Sequence, residues 1–155
     1  MEFAIWVDGD SCPQPVREMI TRTGKRLNLK VFFVANRIIP FEQNTLFSMI
    51  VCSSEIGAAD DYIFRNASCN DIVVTRDIPL AMRLVENGLV VLNDRGTVFT
   101  EKNIRDRMAT RNLNLHLAEM GIIGEKVSRF GKKEVAAFAN ALDREVQRKL
   151  RAQSV

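Results

Sequence analysis

A chain of 155 residues, 46% of them hydrophobic, can bury one sizeable core but not two comfortable ones, and no apolar run nears the ~20 residues that span a bilayer. The net charge of +3 hides a gradient, with 8 Lys and Arg against 10 Asp and Glu through Asp77 and 14 against 9 beyond it. Three cysteines without a C-x-x-C pair, and an amino terminus with no basic lead before Glu2 and Asp8, predict a cytoplasmic protein with reduced thiols and no membrane partner.

The first apolar run, FAIWV (3–7), stops at Asp8, and a second acid follows at Asp10. LKVFFVA (29–35), SMIVC (48–52), IVVT (72–75) and LVVLN (89–93) are similar runs, rich in Val, Ile and Phe and mostly continuous rather than alternating. Such runs suit strands covered on both faces. Between them, Val16, Met19, Ile20 and Thr23 keep helical spacing, as do Ala59, Tyr62 and Ile63, and then Leu80, Ala81, Leu84 and Val85, with Gly88 closing that helix. The repeated strand–helix order predicts an α/β fold, a three-layer α/β/α Rossmann-like sandwich with a mostly parallel sheet. DRGTVFT (94–100) reads as a turn and a short edge strand. Helices are expected over about 101–120 and 133–151, the second with an apolar stripe of Val135, Phe138, Ala139, Leu142 and Val146. GIIGEKVSRFGKK (121–133) reads as a mobile basic loop. Without repeats or low-complexity segments, the whole of 1–155 reads as a single domain, a core of about 1–100 followed by a helical part.

In parallel α/β sheets ligands bind at the carboxyl ends of the strands. Asp8 and Asp10 close the first strand, Asp77 follows the fourth by two residues, and Asp60 and Asp61 open the helix after the third. Up to five carboxylates can therefore converge, and their mutual repulsion calls for cations, Mg²⁺ or Mn²⁺ by ligand type. Each acid also has an ordinary role open to it. Asp77 before Ile78-Pro79 suits an N-cap; Ser11 with Gln14 suits a capping box, leaving Asp10 as first-turn charge; Asp60 and Asp61 suit a solvent-facing helix. Asp8, extending a buried strand directly, has the least of these.

Other chemistries fit worse. A haloacid-dehalogenase-type phosphatase opens on D-x-D but needs a Thr or Ser strand and a Lys before its late acidic pair; here Asp60 and Asp61 precede Thr75, and no Lys lies between Lys30 and Lys102. A response-regulator receiver lacks its isolated Asp and late Lys. Cys12 and Arg17 are one residue too close for a cysteine-phosphatase loop, so Cys12 reads as a packed thiol. The lone His116 reads as structural.

The motifs IWVDGDSCP, VANR, GAADDYI, VVTRDIPLA, LNDRG with TEKNIRDRM, and FANALDREV run in one order from Ile5 to about Leu150. Together they resemble the YaiI/YqxD family of bacterial proteins, placed among PIN-like domains near the NYN ribonucleases. The resemblance implies a divalent-metal site, with Asp8, Asp10, Asp60, Asp61 and Asp77 matching the family's acids. Asp8, Asp61 and Asp77, with Asp10, would be the catalytic set. Asn36 and Arg37 match the VAN loop, and Arg95 with Gly96 the RG turn. Gly9 and Ser11 stand where alanines are common, and the 121–133 loop is more basic than in the family.

The reaction this suggests is metal-dependent hydrolysis of phosphodiesters, with one or two ions activating water. RNA is the favoured partner because the fold relatives act on it. Arg37, Arg76 and Arg95 are candidates to clamp phosphates, Thr75 to assist at the strand end, and Lys126, Arg129, Lys132 and Lys133, with Phe130 for stacking, to track a single strand. The competing readings are a non-catalytic nucleic-acid or protein-binding module and a small-molecule phosphohydrolase.

Overall fold

The structure, a computed structural model, describes residues 2–122 and 129–153. Its centre is a five-stranded sheet of β1 (Ile5–Asp8), β2 (Val31–Ala35), β3 (Phe47–Val51), β4 (Ile72–Val74) and β5 (Val90–Leu92), all parallel in the order β3-β2-β1-β4-β5. Alternate side chains leave opposite faces. Ile5, Val7, Val31 and Phe33 enter one core with α1 (Gln14–Leu27) and α5 (Lys132–Gln153). Trp6, Val34, Val73 and Val91 enter the other, covered by α2 (Ala58–Asn66), α3 (Ile78–Glu86) and α4 (Glu101–Glu119). The expected three-layer α/β/α sandwich is what forms. Strands buried on both faces have no polar side, which is why their sequences read as continuous apolar runs.

The topology fixes where a crevice opens. The chain lays β1, β2 and β3 outward in one direction, then returns to place β4 against the other side of β1. The helix after β1 packs on one face and the helix after β4 on the other. Beyond the carboxyl ends of β1 and β4 the connections therefore part, as at the switch point of doubly wound sheets. Asp8, paired with Val34 at the last β1–β2 rung, is the final residue of its strand and emerges into that crevice.

Local chemistry accounts for the element ends. Asp77 caps α3 by accepting from the Leu80 amide at 2.8 Å, with Pro79 in the first turn. Thr100 and Asn103 form a reciprocal capping box at α4. The box expected from Ser11 and Gln14 does not form. Ser11 is drawn into a 3-10 turn over Gly9–Ser11, and α1 starts afresh from Pro13, whose extended backbone (φ −63, ψ 150) offers no side-chain cap. No edge strand forms over 94–100; the antiparallel contact is a single Leu92–Val98 bridge. There the Asn93 side chain accepts from the Arg95 and Thr97 amides, each at 2.9 Å, and bends the chain back on itself.

At the opposite end of the sheet, buried Asp71 accepts from Ala4 N, Trp6 Nε1 and Ser68 N, each at 2.9 Å, and ties the start of β1 to the start of β4. His116 is exposed on α4, so it has no place in the core. Among the described residues no helix is long and apolar enough to cross a membrane.

Candidate functional site

The crevice at the switch point is an open cleft of about 520 Å³. Asp8 and Asp10 reach it from the end of β1, Asn36 from β2, Asp60 from the first turn of α2, and Arg76 and Asp77 from the end of β4. Ser53, Ser54 and the start of α2 complete its wall, a Ser- and Gly-bearing stretch that sequence reasoning passed over.

Thr75 organises the acids. Its buried hydroxyl donates to Asp8 Oδ2 at 2.9 Å and accepts from the Asp77 amide at 3.0 Å, so one side chain fixes both carboxylates relative to each other. Thr75 is itself buried and does not line the cleft. Asp10 receives the Asn36 amide on its two oxygens, at 3.1 and 3.3 Å, which ties the turn after β1 to the end of β2.

Electrostatics follow from this crowding. Asp8 is pushed up to about 6, chiefly by burial and then by Asp10 and Asp77, against the opposing Thr75 hydrogen bond. Asp60 rises to about 7 through burial, the Asp77 charge, and a hydrogen bond in which its protonated form donates to Asp77; Asp8 and Asp61 add to the effect. Two carboxyls thus hold protons well above the usual acid range, first because they are withdrawn from water and then because neighbouring carboxylates add negative charge.

Asp61 does not line the cleft; it is exposed and pairs with Arg83 Nη1 at 3.3 Å. Adjacent helical residues point about 100° apart, and Asp60 takes the inward position. Arg37 is exposed after β2 but does not line the cleft. Arg95 pairs with Glu134 at 3.7 Å and lies over the Phe130 ring, 5.5 Å from its centroid. Phe130 itself is half-buried, packs against the core and does not line the cleft. Arg129, Lys132 and Lys133 are exposed away from the cleft lining, Lys126 lies outside the described residues, and so does part of the expected 121–133 loop. Cys12 is buried with its thiol pushed up to about 12, as a packed thiol should be.

Asp94 is the acid that the sequence reading missed. It is 3% exposed at the end of β5, and its Oδ2 has no hydrogen-bond partner among the described residues, only Arg76 Nε at 3.7 Å. Burial raises its pKa, while Arg76 and Arg95 pull it down. It adjoins Asp8, Cys12 and Thr75 around a void too narrow for water.

Hard oxygen donors without a thiol or imidazole are the ligand set a small divalent cation takes. Asp8, Asp10, Asp60 and Asp77 bring donors of that kind to one cleft. Among the described residues, however, no group of three or more Asp, Glu, His or Cys side chains is arranged to hold one metal ion.

Fold and site together define a three-layer α/β/α protein with an acidic cleft at the switch point of a parallel sheet. The chain belongs to the family described as "Uncharacterized BCR, YaiI/YqxD family", which it matches over residues 6–148. It is 46% identical over 146 residues to a UPF0178 protein of Psychromonas ingrahamii, covering 94% of this chain and 97% of that one. With a UPF0178 protein of Treponema denticola it shares 48% over 139 residues, 90% and 88% of the two chains. No solved structure matches.

Proposed function

We propose that the chain is a divalent-metal-dependent phosphodiesterase acting on nucleic acid, with RNA favoured by the resemblance to PIN-like ribonucleases. The observation that carries this reading is the gathering of Asp8, Asp60 and Asp77, with Asp10 and Arg76, in one cleft at the strand ends. Asp8, Asp60 and Asp77 are the residues that would hold Mg²⁺ or Mn²⁺, with Asp10 beside them. A bound ion would supply charge neutralisation at the phosphate and an activated water. Thr75 keeps Asp8 and Asp77 in fixed relation, and Arg76 offers a guanidinium to a phosphate oxygen. Asp94, 3.7 Å from Arg76, restrains that guanidinium at the cleft wall. Asp61 drops out of the proposed set because its carboxylate is turned to Arg83.

Mn²⁺ calorimetry on the wild type, Asp8→Asn and Asp77→Asn tests the site without knowledge of the substrate. Binding by the wild type and its loss in both variants is the expected result. A labelled single-stranded RNA should then be cleaved only with metal present, and roughly 100-fold or more slowly by either variant. Oligonucleotide binding without turnover would point to a binding module. Turnover of phosphomonoesters alone would point to a small-molecule phosphohydrolase. Absence of Mn²⁺ binding, or equal binding by the variants, removes the metal reading altogether.

A further inference from the structure

Among the described residues, the carboxyl-terminal half of α4 is almost wholly exposed. Ile104 is buried against α3 and its neighbours, but from Ala109 to Glu119 Leu117 alone is even half-buried. Leu113 is 56% and Leu115 49% exposed. These two leucines lie on opposite sides of the helix, so only Leu115 can contribute to any one face of the arm. The arm is also firmly ended. The Gly121 amide donates to Ala118 O at 3.0 Å and the Ile122 amide to Leu117 O at 2.9 Å, the two bonds of a Schellman stop.

Arg111, Leu115 and Glu119 are spaced four apart and so lie on one face of this arm. Neither Arg111 nor Glu119 makes an ion pair among the described residues. Their order is self-complementary. In an antiparallel pair of arms with its two-fold axis at Leu115, each Arg111 falls opposite Glu119 of the second copy, and the two leucines meet at the axis. A two-fold interface of this kind requires one patch to complement itself. We infer that this face of α4 binds a second copy of the chain, forming an antiparallel helix pair closed by two Arg111–Glu119 contacts. The inference is independent of what the acidic cleft does. A contact limited to two half-helices lies at the small end of specific interfaces, so the dimer should be concentration-dependent.

Sedimentation of the full chain over a wide concentration range, reaching the millimolar, reads this out. The wild type should shift from the chain mass to twice that mass. Leu115→Glu sets two carboxylates at the axis and should abolish the shift. Because the position is exposed, its circular dichroism and melting should match the wild type. Arg111→Glu alone should weaken association at least about tenfold, and Arg111→Glu combined with Glu119→Arg should restore it. A chain that stays monomeric throughout overturns the inference. So does a dimer that survives Leu115→Glu, one lost instead on Leu113→Glu across the opposite side of the helix, or a charge swap that fails to recover association. If the wild type is monomeric and a labelled oligonucleotide binds the arm, losing affinity on Arg111→Glu, nucleic acid takes the place of the second copy.

Discussion

Asp8 titrates near 6 because burial takes water from its carboxylate and Asp10 and Asp77 add negative charge, together outweighing the Thr75 hydrogen bond. Its ordinary value is 3.8. Between these two values the folded chain holds a proton that the unfolded chain has released. Stability from this source is therefore intact below about pH 4 and is lost as pH rises through 6. The loss is about 3 kcal/mol for a group this buried. Asp60 acts in the same direction up to about 7, less strongly because it is only half-buried. Metal-free protein should accordingly melt lower at pH 8 than at pH 5, by on the order of 5–10 °C. Asp8→Asn should flatten that slope and raise the melting temperature at pH 8. Equal slopes in wild type and variant would remove the burial account of Asp8. The acids at strand ends were legible in the sequence because a carboxylate that stops an apolar run has few other places to go. Which of Asp60 and Asp61 faces inward was not legible, since the choice depends on the azimuth of α2. Asp94 carried the same strand-end signal as Asp8 in LNDRG, but it opened the stretch read as a turn and edge strand.

The elements were legible where one force dominated. Strands buried on both faces announced themselves by composition, and observed bounds differ from the expected ones by a residue or two. The turn after β5 was harder, because its shape is set by one side chain and by a distant helix. Asn93 holds the Arg95 and Thr97 amides, and Gly96 sits at φ +85. A Cβ there would lie 2.5 Å from the Ala137 carbonyl oxygen of α5. Gly96→Ala should therefore cost about 3 kcal/mol, combining left-handed strain with a backbone clash. Denaturant melts can compare it with Gly57→Ala, which shares the positive φ (+81) but has nothing within 4 Å of its Cβ. The second variant should lose only about 1 kcal/mol; equal losses would show that packing against α5 is not what demands glycine. Asp71 is a second case that sequence patterns cannot reveal, since its three donors come from residues 4, 6 and 68. Asp71→Ala leaves all three without their acceptor and should cost about 3 kcal/mol or more.

At the scale of the whole molecule, the order β3-β2-β1-β4-β5 gathers negative charge at one place, since it sets the ends of β1 and β4 side by side. The sheet's own packing keeps those ends together, so the fold bears the repulsion whether or not a cation is present. Two kinds of relief are then distinguishable. Simple screening depends on ionic strength and acts weakly on partly buried groups. A bound divalent ion stabilises by mass action, by about 2.7 kcal/mol at a hundredfold excess over its dissociation constant. Mn²⁺ at millimolar concentration should therefore raise the melting temperature at pH 8 far more than sodium chloride of matched ionic strength. At pH 5 the same addition should do little, because Asp8 and Asp60 then hold protons that compete with the ion. Thermal melts of the wild type across these four conditions, repeated with Asp77→Asn, separate the cases. A Mn²⁺ effect no larger than that of matched salt, or one unchanged at pH 5, would mean that the cleft is acidic by topology without being a cation site.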